Sequence, residues 1–142
     1  MPVIVGNGHW NFDERLDPAK YVGFVYAIID TKSGAFYIGK KNFWSKAGGR
    51  RFESNWKFYK SSSDTLQGYI KEDPTAFTYH VLEQYTAVGA LAWAETWSLC
   101  HVSAPTNTRC INKRIEGISW GVKEPVTSRH RKRIEELLLW EK

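Results

Sequence analysis

The sequence is poor in cysteine and has no long apolar run. Cys100 and Cys110 are the two cysteines among 142 residues, too few for a disulfide framework. No stretch approaches the roughly 20 apolar residues that a membrane-spanning helix needs, and the first residues do not resemble a signal peptide. These absences exclude the disulfide-rich and integral membrane classes, and they predict a soluble cytoplasmic protein.

Positive charge and aromatic side chains are what the sequence has in quantity. Lysine and arginine number 20 against 15 acidic residues, so the net charge is +5 and the pI about 9.2. Tryptophan, tyrosine and phenylalanine occur 7 times each. Phosphate contacts come mainly from lysine and arginine, so this balance favours a polyanionic partner. No Walker loop, nucleophile triad or paired zinc motif accompanies the charge.

Local patterns predict an α+β domain. Runs of β-branched and aromatic residues predict three strands, over 22–30, 35–41 and 76–83. Apolar residues at helical spacing predict three helices, over about 64–72, 87–102 and 128–141. Ser61, Ser62 and Ser63 offer N-caps for the first of them, whose Leu66 and Ile70 are spaced to face inward. Thr86 is expected to cap the second of these helices. The order is typical of a small three-stranded, mainly antiparallel sheet flanked by helices, with a C-terminal helical tail.

The same patterns divide the chain into three regions. Residues 1–21 have little periodicity and are expected to form an N-terminal arm. Residues 22–112 are expected to form the folded core, and residues 113–142 a basic C-terminal tail. Within the core, 42–55 contains two adjacent glycines and two adjacent arginines, and it is expected to be a mobile basic loop.

A glutamate interrupts the apolar stripe of the longest predicted helix. Helical spacing places five apolar residues on one face, namely Val88, Leu91, Ala92, Leu99 and Val102. Glu95 falls among them, and burying a carboxylate is costly unless it meets a partner or a metal. Glu95 is therefore either a functional carboxylate or a residue at the edge of the stripe, where it reaches solvent or pairs with a lysine or arginine.

Two tyrosines of the predicted hairpin are expected to share one face of the sheet. If residues 31–34 form the loop, Tyr37 lies opposite Ile28. Side chains alternate along a strand, so Tyr26 shares the face of Ile28 and Tyr37. The two are either half-buried sheet tyrosines or the paired phenols of a site, and a shift of one residue in register would separate them.

Cations follow the second strand and begin the last helix. Gly39 permits close approach of another backbone, such as a phosphodiester chain, and Lys40 and Lys41 beside it could bind phosphate. A plain strand end with solvated lysines is the alternative. The last helix begins with four cations, Arg129, Arg131, Lys132 and Arg133. Its basic face either binds a DNA backbone or packs against the core or a second subunit.

The order of these residues resembles a known nuclease superfamily. Val25-Tyr26 followed by Tyr37-Ile38-Gly39 is similar to the paired motif that names the GIY-YIG nucleases. Two later segments, 40–45 (KKNFWS) and 53–62 (ESNWKFYKSS), are similar to those of phage-encoded Seg-type endonucleases. Glu95 falls where that family carries its metal-binding glutamate, and Ile111-Asn112 resembles a family asparagine. The resemblance covers roughly residues 22–112.

The chain departs from the family pattern at two places. Phe24 and Val25 replace the glycine and isoleucine of the first motif. The arginine that many members carry shortly after the second motif falls at Ala47 here. The resemblance then assigns its cationic role to one of three residues, Lys57, Arg50 or Arg51. The similarity of the 56–62 segment to Seg-type sequences favours Lys57.

The resemblance implies a metal-dependent endonuclease that hydrolyses phosphodiester bonds in DNA. Glu95 would hold one Mg²⁺ or Mn²⁺ ion. Tyr26 would orient or deprotonate the attacking water, with Lys40 or Lys57 favouring its phenolate. Tyr37 would position the water or phosphate, and Tyr59 would donate a hydrogen bond to a phosphate oxygen.

The resemblance also implies a set of substrate-binding residues and a biological setting. Asn112 would orient Glu95 or the substrate backbone. The full substrate-binding set is Gly39, Lys40, Lys41, Arg50, Arg51 and Asn112. A phage-encoded enzyme, homing or DNA-degrading, would act on DNA in the host cytoplasm, as a monomer or a homodimer. The alternatives are a catalytically inactive nucleic-acid-binding module with the same fold, and an inhibitor or adaptor of another protein.

Overall fold

The computed structural model describes residues 4–139, which form an α+β domain. The five strands are β1 (Gly23–Asp30), β2 (Phe36–Asn42), β3 (Trp44–Ala47), β4 (Arg50–Glu53) and β5 (Phe77–Tyr85). The three α-helices are α1 (Asp64–Glu72), α2 (Val88–His101) and α3 (Ser128–Leu138). Short 3₁₀ turns occupy Trp56–Phe58 and Pro74–Ala76. The predicted three-stranded sheet flanked by helices is confirmed; the last three residues of the chain, over part of which the final helix was predicted, lie outside the described range.

The central sheet has the strand order β2-β1-β5, and both pairings are antiparallel. Ile28 pairs with Tyr37 and Tyr26 pairs with Gly39, so the predicted hairpin register is confirmed. A bulge between Val25 and Tyr26 shifts the pairing of β1 with β5. Strand β2 is an edge strand of this sheet, so side chains from both faces of the sheet can meet along its outer side.

Helices and loops cover both faces of the sheet. On one face, α2 and α3 pack against alternate residues of β1 such as Val25 and Ala27. On the other face, α1 contributes Leu66 and Ile70 to a cluster with Tyr26. Ser63 caps α1 by accepting the backbone N–H of Leu66 at 3.2 Å, which is why this helix begins where the sequence predicts. No helix between residues 4 and 139 is both long and apolar enough to cross a membrane.

The N-terminal segment lies against the core, unlike the arm that its weak periodicity predicts. Trp10, Phe12 and Leu16 are buried in the same cluster as α1. Asn11 donates its backbone N–H to Tyr79 at 2.8 Å and accepts that of Val81 at 3.0 Å. The segment therefore covers the outer edge of β5, which would otherwise expose unpaired backbone groups.

The expectation of a loop over 42–55 was wrong, because most of this stretch is a β-hairpin. Strands β3 and β4 pair antiparallel, with Ala47 opposite Arg50. Gly48 and Gly49 form the turn with φ angles of +57° and +77°. A two-residue turn with two positive φ angles matches the right-handed twist of a hairpin and is open to glycine at little cost. The adjacent glycines were thus a hairpin signal.

Helix α2 buries a wider face than its predicted apolar stripe. Val88 is 62% exposed, but Leu91, Leu99 and Val102 of the stripe are buried, and the small residues Ala90, Ala94 and Ser98 are buried beside them. Small side chains let a helix approach closely, and the stripe of larger residues did not reveal this second part of the buried face. Thr86 does not cap α2, because Ala87 holds the N-cap position without a side-chain bond and the Thr86 hydroxyl binds Glu124.

The basic start of α3 is directed inward. Arg129 forms ion pairs with Glu83, Glu14 and Asp13, with the Glu14 contact at 3.0 Å. Arg133 is buried and donates from Nε to the carbonyl oxygen of Val81 at 2.7 Å. Arg129 and Arg133 therefore bind groups of the folded core, and exposed Lys132 lies 3.9 Å from Glu136, which supports packing against the core over a free DNA-binding face.

Candidate active site

A cavity of about 440 Å³ opens along the outer edge of β2. Six residues predicted for the site line it: Tyr26, Tyr37, Gly39, Lys40, Glu95 and Asn112. They come from β1, β2, α2 and the irregular segment after α2. These residues are far apart in the sequence, and they meet here because β2 is an edge strand of the sheet. Side chains of α2, which covers one face, and side chains on the other face can both reach this edge.

The two hairpin tyrosines are neighbours in this cavity. Their rings stack with centroids 6.4 Å apart and planes 28° apart. Tyr59 approaches Tyr26 edge-on, with centroids 6.0 Å apart. Tyr26 is 1% exposed, whereas Tyr37 and Tyr59 are half-buried. Three phenols thus converge at one place, although Tyr59 does not line the cavity itself.

Ser61 holds the hydroxyls of the first two phenols. This buried serine has a φ of +83°, a left-handed conformation that is uncommon for residues other than glycine. Its side chain hydrogen-bonds both Tyr26 and Tyr37, and its oxygen also accepts the backbone N–H of Ser63 at 2.9 Å. Backbone strain of this kind is concentrated at functional sites. The run of three serines indicated a helix cap and gave no sign of this second role.

Gly39 provides the space for Tyr26. A Cβ atom at Gly39 would lie 2.3 Å from the Tyr26 hydroxyl oxygen and 2.4 Å from Cζ. The close approach predicted for this glycine is therefore made by an aromatic ring of the same chain. Any larger residue would displace either the ring or the strand.

Burial keeps both phenols protonated. Burial raises the pKa of Tyr26 well above its ordinary range, and the neighbouring Tyr37, Tyr59 and Glu95 raise it further. Burial also raises the pKa of Tyr37, and Glu95 adds to that effect. Ser61 opposes this rise, and neither Lys40 nor Lys57 is among the groups that shift the pKa of Tyr26, so the structure gives no support to a phenolate favoured by either lysine.

Glu95 is a half-buried carboxylate at the floor of the cavity. Burial raises its pKa, and Lys40 opposes that shift through its charge and through a backbone hydrogen bond to the carboxylate. Glu116 also lines the cavity and raises the pKa of Glu95 further by repulsion. Glu95 has no ion pair within 4 Å among residues 4–139. Glu95 therefore shares an open cavity with Lys40, a position that suits both readings of the sequence, and its functional role stays a prediction.

Asn112 fastens the segment after α2 to the edge of β2. Its side-chain oxygen accepts the backbone N–H of Ile38 at 2.9 Å, and its Nδ2 donates to the Ile38 carbonyl oxygen at 2.7 Å. Phe36 bonds Arg109 and Ile111 in the same way as a parallel strand would. The amide therefore binds the strand that carries Tyr37 and Gly39, and these two hydrogen bonds go to Ile38 and not to Glu95.

Four predicted cations, Lys41, Arg50, Arg51 and Lys57, do not line the cavity. The Lys57 ammonium is 5.6 Å from the Trp56 ring centroid, and the Arg51 guanidinium is 4.1 Å from that of Trp44. Arg50 is exposed on β4. The cations that do line the cavity are Lys40, Lys113 and Arg114. The last two lie in an irregular segment with no periodicity, so no local pattern distinguished them.

The donor set suits a hard divalent cation bound mainly through one carboxylate. Residues 4–139 contain no cluster of three or more histidine, cysteine, aspartate or glutamate side chains that could hold a metal. Mg²⁺ is commonly held by one or two carboxylates, with waters and substrate phosphates completing its octahedron. Glu95, with Glu116 nearby, fits this mode and does not fit a closed structural zinc site.

Comparison with known proteins gives one family. Residues 9–113 match the family model described as "Putative endonuclease segE, GIY-YIG domain". No curated protein gives a significant match, and no solved structure does. The matched range spans most of the chain and includes both tyrosine motifs, Glu95 and Asn112. The chain therefore belongs to the SegE-type GIY-YIG endonuclease family.

Proposed function

We propose that this protein is a DNA endonuclease that hydrolyses phosphodiester bonds in a metal-dependent reaction at the β2-edge cavity. The observation that carries the proposal is the convergence of Tyr26, Tyr37 and Glu95 on one cavity of about 440 Å³. Hydrolysis needs an oriented water, stabilisation of charge on the phosphoryl oxygens and help for the leaving oxygen. The cavity holds hydroxyl, carboxylate and cationic groups that suit these tasks.

Glu95 is proposed as the metal ligand. A half-buried carboxylate whose pKa is raised by burial is stabilised in its charged form by a nearby cation. Mg²⁺ or Mn²⁺ bound there would supply positive charge to the phosphoryl oxygens. Lys40, through its backbone bond and its charge, holds the Glu95 carboxylate toward the cavity.

The phenols are proposed to act as hydrogen-bond donors. Because burial keeps Tyr26 protonated, it orients the attacking water or a phosphoryl oxygen through its O–H. Tyr37, less buried, does the same from the mouth of the cavity. Tyr59 adds a third hydroxyl beside them. Ser61 holds Tyr26 and Tyr37 in this arrangement, which lowers the cost of ordering them during the reaction.

Lys40 and Arg114 are proposed for the cationic role that the resemblance gave to Lys57. Both line the cavity, whereas the Lys57 ammonium lies over Trp56. An arginine or lysine at the cavity can bind the non-bridging phosphate oxygens. Arg50, Arg51 and Lys57 remain candidates for contacts with DNA farther from the cut.

The second candidate is a catalytically inactive nucleic-acid-binding module. It is favoured by the burial of Tyr26, which is 1% exposed, because burial disfavours the phenolate that a general base at this position would need. In either case the partner is DNA. The Seg-type resemblance is also the basis for proposing a phage-encoded homing or DNA-degrading enzyme that acts in the host cytoplasm.

Supercoiled plasmid separates the two candidates. Wild-type protein should convert it to nicked or linear DNA with Mg²⁺ or Mn²⁺ and leave it intact in EDTA. Glu95→Gln should reduce the rate by at least about 100-fold, since a bound metal contributes several kcal/mol, and calorimetry should show weakened Mg²⁺ binding. Glu135→Gln, an exposed glutamate on α3, is the matched control and should cut normally.

Two results would contradict the proposal. Intact plasmid under every metal condition, with DNA binding retained, would establish the inactive module. Unchanged cleavage and unchanged Mg²⁺ binding by Glu95→Gln would remove that carboxylate from the site.

A further inference from the structure

A second groove lies beside the cavity and shares Lys40 with it. Its volume is about 620 Å³. We call it the lysine groove and define it by Lys40, Lys41, Trp44, Lys46 and Tyr59, which lie along β2, β3 and the turn after the first 3₁₀ helix. Because Lys40 lines both spaces, a chain-like ligand could pass from one to the other.

The lysine groove has positive charge and no carboxylate in its lining. Lys41 is the informative member, because it is half-buried and burial lowers its pKa. Its ammonium lies 4.0 Å from the Tyr59 ring centroid and forms no ion pair within residues 4–139. A partly desolvated cation without a counter-ion is unfavourable, and an external anion would remove that cost.

The β3–β4 hairpin contains a second unfavourable arrangement of charge. Lys46 on β3 pairs directly with Arg51 on β4, and like charges in directly opposite positions destabilise a ladder. Arg51 lies over the Trp44 ring at 4.1 Å, so the indole separates it from the groove. Glu53, the one acidic residue of the hairpin, binds the Trp56 indole N–H at 2.8 Å. A polyanion bound in the lysine groove would offset the repulsion between Lys46 and Arg51, and it would supply the counter-ion that Lys41 lacks within the described part of the chain.

We propose that the lysine groove binds the phosphodiester backbone of DNA next to the phosphate held in the cavity. Lys41 and Lys46 bind its phosphate oxygens, and the rings of Trp44 and Tyr59 form the walls against sugar and base. This inference rests on the proposed function, because it takes the neighbouring cavity to hold the phosphate that is cut. The proposal adds Lys46 and Trp44 to the DNA-contacting surface. It gives the β3–β4 hairpin the role of holding the DNA next to the phosphate that is cut.

The salt dependence of DNA binding tests the proposal. In EDTA, the affinity for a short DNA duplex is measured by fluorescence anisotropy between 50 and 200 mM salt. These concentrations span the range in which counterion release is marked, and each phosphate contact contributes about 0.9 to the slope of log affinity against log salt. The double variant Lys41→Gln/Lys46→Gln should lower the slope by about 1.8, and Lys41→Arg/Lys46→Arg should restore it.

The matched control removes the same charge elsewhere. Lys71→Gln/Lys123→Gln replaces two exposed lysines that do not line the lysine groove, and its slope should stay near that of the wild type. An unchanged slope in the groove variant, an equal loss in the control, or a loss seen with an RNA duplex but not with DNA would each overturn the proposal.

Plasmid cleavage by the wild type separates this inference from the proposed function. If the wild type cuts DNA and the groove variant keeps the full salt slope, the groove assignment fails and the nuclease stands. If the wild type cuts nothing and the salt slope of the groove variant still falls by the equivalent of about two phosphate contacts, the nuclease proposal fails and the groove assignment stands. When the nuclease proposal and the groove proposal are both correct, the groove variant should show a raised KM for DNA cleavage with kcat nearly unchanged. The reason is that it has lost contacts to a part of the DNA that takes no part in the reaction.

Discussion

Gly39→Ala is expected to disrupt the site through a single methyl group. The new Cβ would lie 2.3 Å from the Tyr26 hydroxyl oxygen, about 1.1 Å short of the 3.4 Å at which ordinary contact begins. Tyr26 cannot move away freely, because Trp10 packs at 5.1 Å and Tyr59 at 6.0 Å between centroids. Gly39 does not have a positive φ, so the effect is steric and involves no backbone preference.

The size of the effect follows from the packing. Forcing an extra group into a close-packed region costs about 1–3 kcal/mol, which lowers the Tm of a domain of this length by roughly 4–12 °C. A displacement of about 1 Å in a catalytic group can reduce a rate by about 100-fold. Thermal unfolding and plasmid cleavage measure the two quantities. Gly68→Ala is the control, since nothing lies within 4 Å of a Cβ at that helical position, and it should not destabilise the protein.

A double-mutant cycle identifies the cause. In a Tyr26→Leu background the clashing ring is absent, so adding Gly39→Ala should cost less than about 1 kcal/mol, and the two substitutions should be strongly non-additive. A full, additive loss in that background would show that Tyr26 is not what excludes a side chain at Gly39. A Gly39→Ala variant with wild-type stability and activity would refute the reasoning altogether.

Two further predictions concern stability. Asn112→Ala should lower the free energy of unfolding by about 1–3 kcal/mol, because it removes both hydrogen bonds to Ile38; an unchanged urea midpoint would contradict this. His130 is buried between Tyr85 and Ser98, and burial lowers its pKa to about 3. Only the unfolded chain binds its proton between pH 6.5 and about 3, so stability is full above 6.5 and falls as the pH drops. The loss from His130 is about 1.4 kcal/mol between pH 7.5 and 5.5. Urea unfolding at both pH values should show that much less pH dependence for His130→Gln, and equal dependence in the two proteins would disprove the assignment.

Local signals predicted the elements whose formation depends on neighbours in the sequence. The first hairpin followed from its alternation and four-residue loop, and α1 from Ser63 and the spacing of Leu66 and Ile70. The second hairpin was missed, although Gly48-Gly49 is a local signal, because adjacent glycines between basic residues also suit a mobile loop. Part of the buried face of α2 was missed because it consists of the small residues Ala90, Ala94 and Ser98, which a stripe of large apolar residues does not reveal.

Site residues were predictable to the extent that a family motif records them. Tyr26, Tyr37 and Glu95 were named from the sequence, and all three line one cavity. Of the cations that line the cavity, Lys40 was also named, but Lys113 and Arg114 were not, since they lie in an irregular segment. Lys57, which was named, lies over the Trp56 ring instead. Ser61 was read only as part of a helix cap. Each of these depends on which distant element a short segment packs against.

By itself the sequence determined the three strands of the central sheet, the register of the first hairpin and the identity of the family, because side-chain alternation and turn length are properties of neighbouring residues. The tertiary structure alone decided how those residues act. The state of the Tyr26 phenol depends on burial by Trp10 and Tyr59, and the need for Gly39 depends on the ring that crosses it. Arg129 likewise points toward the core because it forms an ion pair with Glu83. Desolvation and steric contact arise between residues far apart in the chain, so local periodicity does not record them.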